Sequence, residues 1–244
     1  MSTTPSSYPS GVVGRVAALR RYPVKSMGTQ ILDKVDVTWY GLAGDRRWAF
    51  IRDGQQRNGF PWLTLRQRND LNHYRPFFTD AARPDTSPTL VRTPTGDEYD
   101  VADPTLAAEL GEGVRVLKQD RGVFDSMPLS LITIRTITGL QALVGADIDV
   151  LRFRPNLLID TIGDEPFPED TWVGRVLRVG GIRMRVDRRD KRCGVVNIDP
   201  VTARRDPVVL ETIARERQVC LGVYGSVVEP GHVAVGDPVA LVDG

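Results

Sequence analysis

The sequence predicts a mostly β fold of the α+β class, and three observations support that prediction. Short segments rich in Val, Leu and Ile recur along the 244 residues and are separated by many of the 23 glycines and 17 prolines. Short strands joined by Gly and Pro turns are typical of barrel-like sheets. Only three segments carry helix start or stop signals. A hydrophobic fraction of 41% can bury a substantial core, so one large domain or two closely packed small ones are expected.

The first predicted strand is the valine-rich segment 12–21, which ends at Tyr22-Pro23. Segment 32–39 approaches the apolar–polar alternation of a half-buried strand. The remaining predicted strands are 47–52, 89–93, 114–118, 130–134, 156–160, 176–179, 182–188 and 219–228.

Helices are predicted to be few and short. Asp103 in the N-cap position and Pro104 in the first turn start a helix at 105–110, because Asp accepts a backbone hydrogen bond and Pro needs none. The other two helices are predicted at 138–144, before Gly145, and from Asp206-Pro207 through residue 217.

A domain boundary is predicted between residues 118 and 125, after strand 114–118. The sequence therefore divides into an N-terminal domain at 11–120 and a C-terminal domain at 121–244. Residues 1–10 consist mainly of Ser, Thr and Pro, which predicts a disordered leader.

The charge and cysteine content exclude several classes of partner. A net charge of +1 provides no overall field that would attract nucleic acid or a membrane surface. No apolar run approaches the ~18 residues of a membrane span, and the N-terminus lacks the basic and apolar regions of a secretion signal. We therefore expect a cytoplasmic protein whose two cysteines are free thiols. A monomer is our working expectation, although nothing in the sequence indicates the oligomeric state.

Several common site motifs are missing from the sequence. No glycine-rich nucleotide loop follows a strand, and there is no Cys-x-x-Cys pair or closely spaced His pair. His73 and His232 are the only histidines, and His232 lies in a turn sequence. A histidine triad and a structural zinc site are therefore not indicated.

Cys193 is the strongest single candidate for a functional residue. It follows the most basic stretch of the chain, 183–192, which holds six Arg or Lys residues against Asp187 and Asp190. Nearby cations favour the thiolate, the form that attacks electrophiles and binds soft metals. Such a thiolate would suit an anionic, metal-bearing cofactor. The alternative is a small packed thiol in a solvated, charged hairpin.

Four other segments place a charged residue and a short hydrogen-bonding side chain near the end of a strand. Loops at strand ends often carry the polar groups of a site, because a rigid scaffold holds them. Arg binds phosphate through two parallel hydrogen bonds, and Lys, Ser and Asn add further donors. The four segments are 22–26, 44–48, 124–128 and 152–156.

Taken together, these segments resemble MOSC domain proteins, a family named after the C-terminal domain of molybdenum cofactor sulfurases. The similarity runs in the same order from about residue 12 to 242 and is closest to the mitochondrial amidoxime-reducing component and its bacterial relatives. The matching segments are 22–26, 44–48, 152–156, 172–174, Arg192-Cys193 with Asp199-Pro200 and Thr202, and 229–239.

The resemblance implies an N-terminal β-rich MOSC-N domain packed on a C-terminal MOSC β-barrel with a few short helices, and a molybdopterin-type molybdenum cofactor between them. Cys193 would be the protein ligand of molybdenum. Asp125 would lie near the metal and either bond to a water or substrate nitrogen or deliver a proton. The implied cofactor-binding residues are Lys25, Ser26, Arg46, Ser126, Arg154, Asn156 and Arg192.

The activity implied by the resemblance is that of a molybdenum-dependent oxidoreductase of the N-reductase type. It would remove oxygen from N-hydroxylated or N-oxide-type small molecules, with electrons from a separate donor protein, since no ferredoxin-like Cys cluster follows Cys193. Met127 and Asn197 depart from the amidoxime-reducing pattern and leave the substrate open. The alternatives are sulfur transfer through a Cys193 persulfide and a cofactor carrier without catalysis.

Overall fold

The structure is a computed structural model that describes residues 11–54 and 60–242, so the predicted leader at 1–10 lies outside it. The described residues form sixteen strands and three α-helices, which confirms the mostly β prediction. The strands are β1 Val12–Arg21, β2 Gln30–Leu32, β3 Lys34–Thr38, β4 Gly41–Leu42, β5 Trp48–Arg52, β6 Arg75–Phe78, β7 Thr89–Arg92, β8 Glu98–Asp100, β9 Val114–Lys118, β10 Leu129–Thr133, β11 Leu157–Thr161, β12 Val176–Val179, β13 Ile182–Lys191, β14 Cys220–Glu229, β15 Gly231–Ala234 and β16 Pro238–Val242. The helices are α1 Pro104–Leu110, α2 Ile134–Val144 and α3 Val208–Arg217.

Seven strands close into a barrel in the order β1-β11-β10-β14-β13-β12-β16, with β16 pairing back onto β1. The pairs are antiparallel except β10 and β11, which are parallel and are joined through α2. Closure leaves no free edge along these strands and encloses a core of buried aliphatic side chains. Core residues exposed by 1% or less include Val16, Leu19, Leu131, Leu157, Ile159, Leu177, Val179, Met184, Val186, Val223 and Val239.

The barrel needs β1, which lies in the predicted N-terminal domain but pairs with β11 and β16. At Gly14 the backbones of β1 and β11 are so close that a Cβ atom would lie 2.3 Å from the carbonyl oxygen of Asp160. In the opposite direction, the C-terminal strand β15 pairs with β3. The domain limits 11–120 and 121–244 stay a prediction. Each part contributes one strand to a sheet of the other: β1 pairs with C-terminal strands, and β15 pairs with N-terminal β3.

The N-terminal residues outside the barrel form smaller sheets, β5–β9 and β6–β7–β8, which pack with α1 around a second core. Helices α2 and α3 pack on the outside of the barrel around a third core, which includes Leu140, Ile213 and Leu221. Among the described residues, no helix combines the length and apolar character that crossing a bilayer requires.

Side-chain caps explain the starts of α1 and α2. The Asp103 carboxylate accepts from the backbone N–H of Thr105 at 2.8 Å, as predicted for α1. Helix α2 begins at Ile134, four residues before the predicted start, because the Thr133 hydroxyl accepts from the N–H of Thr136. That cap was not identified because β10 leads into the helix without a break.

Arg205 joins the N-terminal part to the segment that follows Cys193. Its guanidinium donates to the carbonyl oxygens of Leu65 and Arg66 at 3.2 and 3.0 Å and to Asn69 Oδ1 at 2.7 Å. Nearby, Asn72 Nδ2 donates to the carbonyl oxygen of Pro200 at 2.8 Å. These contacts hold residues 60–69, called the 60s loop below, against the C-terminal part. They therefore fix one wall of the cavity described below.

Glu169 is fully buried and ties the start of α2 to the 3₁₀ turn Pro168–Trp172. Its carboxylate accepts from the Thr133 and Thr136 hydroxyls at 2.8 and 2.7 Å and from the Thr133 N–H at 3.3 Å. Replacement of Glu169 by Ala leaves these buried donors without an acceptor. We expect the free energy of unfolding to fall by about 2–4 kcal/mol in denaturant titrations.

The matched control for this prediction is Glu165→Ala, since Glu165 is exposed four residues earlier. We expect the control to change the free energy of unfolding by less than about 0.5 kcal/mol. Equal stabilities of Glu169→Ala and Glu165→Ala would show that the buried carboxylate is not a structural anchor.

Candidate functional site

A cavity of about 650 Å³ lies between the barrel end and the N-terminal sheets. It brings together eight of the nine side chains that the sequence analysis selected, although they come from five separate segments. Those eight are Lys25, Ser26, Arg46, Asp125, Ser126, Arg154, Arg192 and Cys193. The ninth, Asn156, does not line the cavity and lies behind its wall. The cavity places these residues together, and their individual roles stay predictions.

Three of the cavity residues have left-handed backbone conformations that side-chain-bearing residues rarely adopt. The φ angles of Ser26, Arg46 and Arg154 are 67°, 50° and 52°. Such conformations cost free energy, persist only where the surrounding structure enforces them, and cluster at functional sites. The three residues come from different loops, so three separate left-handed backbone positions border the same cavity.

The buried carboxylate of Asp45 organises the floor of the cavity. Asp45 accepts from the backbone N–H of Tyr22 at 2.7 Å and from Asn156 Nδ2 at 3.1 Å, and it pairs with the Arg46 guanidinium. Burial would lower the pKa of Arg46, but the charge of Asp45, aided by Tyr22, outweighs burial and raises it. Arg46 is therefore a permanent cation.

Asn156 lies behind the cavity wall, and the cofactor-binding role that the resemblance implied for it stays a prediction. Its amide nitrogen donates to Asp45 and to the Arg20 carbonyl oxygen, and its amide oxygen accepts from Ser130 N–H at 3.2 Å and from Arg46 at 3.4 Å. These contacts leave the amide no free hydrogen-bonding group. Asn156 therefore positions Arg46 from behind the wall.

Arg46 and Arg154 both stack on the ring of Tyr22, with guanidinium carbons 4.8 and 4.3 Å from its centroid. Burial, together with the charge of Arg46, lowers the pKa of Arg154 to about 10, so Arg154 is still charged at neutral pH. Burial also lowers the pKa of Lys25, as do the charges of these two arginines, while Asp125 partly offsets the shift. Cations crowded in this way are stabilised by a bound anion.

Buried polar atoms without partners indicate where a ligand would bind. Among the described residues, Ser130 Oγ, Arg154 Nη2 and Arg192 Nη2 are buried without a hydrogen-bond partner, and all three residues line the cavity. Leaving such a group unpaired costs ~1–3 kcal/mol. The rest of Arg192 is held by the carbonyl oxygens of Leu221 and Phe153, at 2.7 and 3.0 Å. The donors fit a ligand rich in acceptor oxygens, such as a phosphate ester.

Cys193 lies two residues after the end of β13 and is half-buried in the cavity wall, and both cysteines are free thiols. Its sulfur is hydrogen-bonded to the side chain of Arg66, and this contact raises the pKa of Arg66. Arg66 and Lys25 also lie on the ring of Phe60, each 5.7 Å from its centroid. The sulfur therefore faces a cation supplied by the N-terminal part.

Asp125 and Ser126 lie at the exposed side of the cavity. The carboxylate of Asp125 accepts from Lys25 Nζ at 2.5 Å, and Arg188 donates to the Ser126 hydroxyl. Partial desolvation by the cavity wall would raise the pKa of Asp125, but the charge and hydrogen bond of Lys25, with Arg46 and Arg66, hold it below the ordinary value. Asp125 is therefore an ionised acceptor at neutral pH.

Several polar cavity residues were not selected as site residues from the sequence, among them Arg66, Ser130, Asp190 and Tyr224. The local signal for Asp190 is its place in the basic stretch 183–192, because the inward alternation of Met184 and Val186 along β13 breaks at the exposed Arg188. Arg66 had no such signal, since nothing near it in the sequence points to Cys193.

The fold and the cavity define a β-barrel protein with a cationic site for an anionic ligand beside a free cysteine. The MOSC domain model matches residues 118–240, and the MOSC N-terminal beta barrel domain model matches residues 13–105. The chain therefore belongs to the MOSC domain family, as the resemblance predicted.

Two relatives and one solved structure illustrate this placement. The chain is 28% identical to a molybdenum cofactor sulfurase of Drosophila mojavensis, over 86% of this chain and 31% of that protein. It is 30% identical to mitochondrial amidoxime-reducing component 1 of Danio rerio, over 47% of this chain and 37% of that protein. The chain thus spans about a third of the length of the curated relatives it matches.

The fold is similar to that of the YUAD protein from Bacillus subtilis, with a TM-score of 0.52 at 14% identity. The similarity covers 94% of this chain and 95% of that one. At this identity it supports the arrangement of the fold alone.

Inorganic phosphate should bind this cavity and stabilise the folded protein. At a phosphate concentration 100 times the Kd, stabilisation of about 2.7 kcal/mol would raise the melting temperature by about 5–10 °C. Arg154→Gln removes an unpaired donor and should abolish the rise, while the exposed Arg83→Gln should keep it. The same phosphate-dependent rise in Arg154→Gln would contradict the assignment of an anion site.

The pairing of Arg66 with Cys193 should control thiol reactivity, because thiolate is the reacting form and a neighbouring cation favours it. We expect Arg66→Gln to slow alkylation of Cys193 by iodoacetamide several-fold at neutral pH, measured by mass spectrometry. Cys220, half-buried at the start of β14, is the internal control and should react at an unchanged rate. An unchanged Cys193 rate would mean that Arg66 does not act on the sulfur.

Proposed function

We propose that this chain is a molybdenum-cofactor-dependent oxidoreductase that removes an oxygen atom from N-hydroxylated or N-oxide-type small molecules. One observation carries the proposal: a free cysteine lies in the wall of a cationic cavity where three buried donors, Ser130 Oγ, Arg154 Nη2 and Arg192 Nη2, have no partner among the described residues. The membership of the chain in the MOSC family agrees with it, since the relatives described above are named for the molybdenum cofactor and for amidoxime reduction.

The cavity residues fit the chemistry of a phosphorylated pterin. The unpaired nitrogens of Arg154 and Arg192 and the hydroxyl of Ser130 offer donors, Arg46 offers permanent positive charge, and Lys25 adds an amino group. Ser26 and Ser126 add hydroxyls at the cavity wall. When bound, the cofactor supplies a metal that accepts an oxygen atom and exchanges two electrons, and Cys193 is its thiolate ligand in this proposal.

The remaining residues bind and orient the substrate. Asp125, as an ionised acceptor, would take a hydrogen bond from a substrate N–H, the first of the two roles that the resemblance left open. Phe60 and Leu65 give the cavity an apolar side that suits an aromatic or alkyl substituent. A separate redox protein would supply the electrons, and a cytoplasmic, monomeric protein stays our expectation.

A second candidate is sulfur transfer, in which Cys193 carries a persulfide. One observation favours it: the similarity to the Drosophila mojavensis sulfurase covers 86% of this chain, against 47% for the Danio rerio amidoxime-reducing component. A chain with this role needs a separate sulfur donor. The third possibility is a cofactor carrier that binds the same ligand without turnover.

Metal analysis after expression in a host that makes the cofactor tests the proposal. We expect stoichiometric molybdenum in the wild type, loss of molybdenum in Cys193→Ser because the thiolate ligand is gone, and retention in the control Cys220→Ser. The loaded and chemically reduced protein should then convert benzamidoxime to benzamidine.

The other outcomes separate the alternatives. Protein that binds molybdenum but does not reduce the amidoxime would contradict the oxidoreductase and favour the carrier. Protein that stays free of molybdenum and accepts a persulfide on Cys193 would contradict both and favour sulfur transfer.

A further inference from the structure

The cavity contains a second carboxyl group, Asp190, that the proposed function leaves without a role. Asp190 is 1% exposed and lines the cavity. It is the second-last residue of β13 and lies three residues before Cys193. The pairing of β13 with β14 shifts register between Arg189 and Lys191, so Asp190 lies in an irregular step of the ladder. Irregular steps of this kind re-aim side chains beside active sites.

The partners of Asp190 come from its own strand and from β14. Its Oδ2 atom lies 2.8 Å from Arg192 Nη1, and the Tyr224 hydroxyl donates to its carboxyl group. The approach of Arg192 is an ion pair without hydrogen-bond alignment, since Oδ2 has no hydrogen-bond partner among the described residues. One carboxyl oxygen is therefore buried, at the cavity wall, and able to carry a proton.

The charged groups that face Asp190 from the other cavity walls are Arg46, which follows β4, and Asp125, which precedes β10. Burial raises the pKa of Asp190 to about 6, even though Arg192 and the Tyr224 hydrogen bond oppose the shift. Burial likewise raises the pKa of Tyr224 to about 12, so Tyr224 stays a neutral donor.

The two carboxyl groups of the cavity therefore have opposite environments. Asp125 is exposed and paired with Lys25, which lowers its pKa, whereas Asp190 is buried, which raises its pKa. In many active sites, two carboxyl groups have pKa values that their surroundings shift in opposite directions. One of the two then acts as the proton donor, and the other stays ionised.

We propose that Asp190 is the proton donor of this cavity and that Tyr224 and Arg192 stabilise the carboxylate left behind. This inference rests on the proposed function. Reduction of an N-hydroxylated substrate breaks the N–O bond and releases the oxygen as water, which requires two electrons and two protons. The redox protein supplies both electrons through the cofactor. Asp190 transfers one proton to the oxygen removed from the substrate, solvent transfers the second proton to the same oxygen, which leaves as water, and solvent then reprotonates Asp190.

The first test is independent of the cofactor and follows the protonated carboxyl group of Asp190 by infrared difference spectroscopy across pH. We expect a carboxylic acid carbonyl band in the wild type that disappears as the pH rises through about 6. The band should be missing in Asp190→Asn and present in Asp187→Asn, a control acid on the same strand that pairs with Arg185. A wild type without a band that depends on Asp190 would overturn the proposal.

The second test measures benzamidoxime reduction against pH at equal molybdenum content. We expect the wild-type kcat to fall as the pH rises above about 6, and Asp190→Asn to lose at least tenfold in kcat together with this pH dependence. Asp190→Glu, which keeps an acid at this position, should recover part of the rate.

Two results distinguish a failure of the proton-donor role from a failure of the proposed function. Asp190→Asn with the wild-type rate and pH profile at equal molybdenum content would overturn the proton-donor role and leave the oxidoreductase standing. A wild type that binds no molybdenum, or binds it without turnover, would overturn the proposed function and this role with it, whatever the infrared result.

Discussion

The buried carboxylate of Asp45 is the interaction on which the cavity depends. It accepts from the Tyr22 N–H at the end of β1, pairs with Arg46 beyond β4, and accepts from Asn156 before β11. A buried carboxylate is tolerated only when it is paired and hydrogen-bonded, so these three segments must stay together. Loss of Asp45 would release the cation of the cavity floor and the ring on which that cation stacks.

The other features of the site follow from this junction and from the closed barrel. Because β1 is a barrel strand, Tyr22 at its end is held rigidly, and the stacked guanidinium of Arg154 is held with it. Arg205 brings the 60s loop to the opposite wall and places Arg66 beside Cys193. Donors and charges are therefore in place before any ligand binds, which lowers the cost of ordering the site.

Three aspartates at the site have different roles because their surroundings differ. Asp45 is structural, Asp125 is an exposed acceptor paired with Lys25, and Asp190 is buried beside a neutral tyrosine. The same residue type thus has three environments, two in the cavity wall and one behind it. Burial and the nearest charge, rather than the residue type, set the direction of the pKa shifts of Asp125 and Asp190.

Local features were predictable from the sequence, and features that depend on long-range pairing were not. Strand β1, the Asp103 cap and the polar segments at strand ends were recognised because their signals lie within a few neighbouring residues. The closure of the barrel by β1 and the approach of Arg66 to Cys193 join residues far apart in the chain, so no local pattern shows them. Asn156 was selected with the right segment, but only its contacts reveal that it acts from behind the wall.

The central claim is that Cys193 is a metal ligand in a cationic cavity, and X-ray absorption at the molybdenum edge tests it most directly. Protein from a cofactor-producing host should show a thiolate sulfur in the metal coordination shell. Any molybdenum retained by Cys193→Ser should lack that sulfur, while Cys220→Ser should match the wild type. Spectra of the wild type and Cys193→Ser that cannot be told apart would contradict the account.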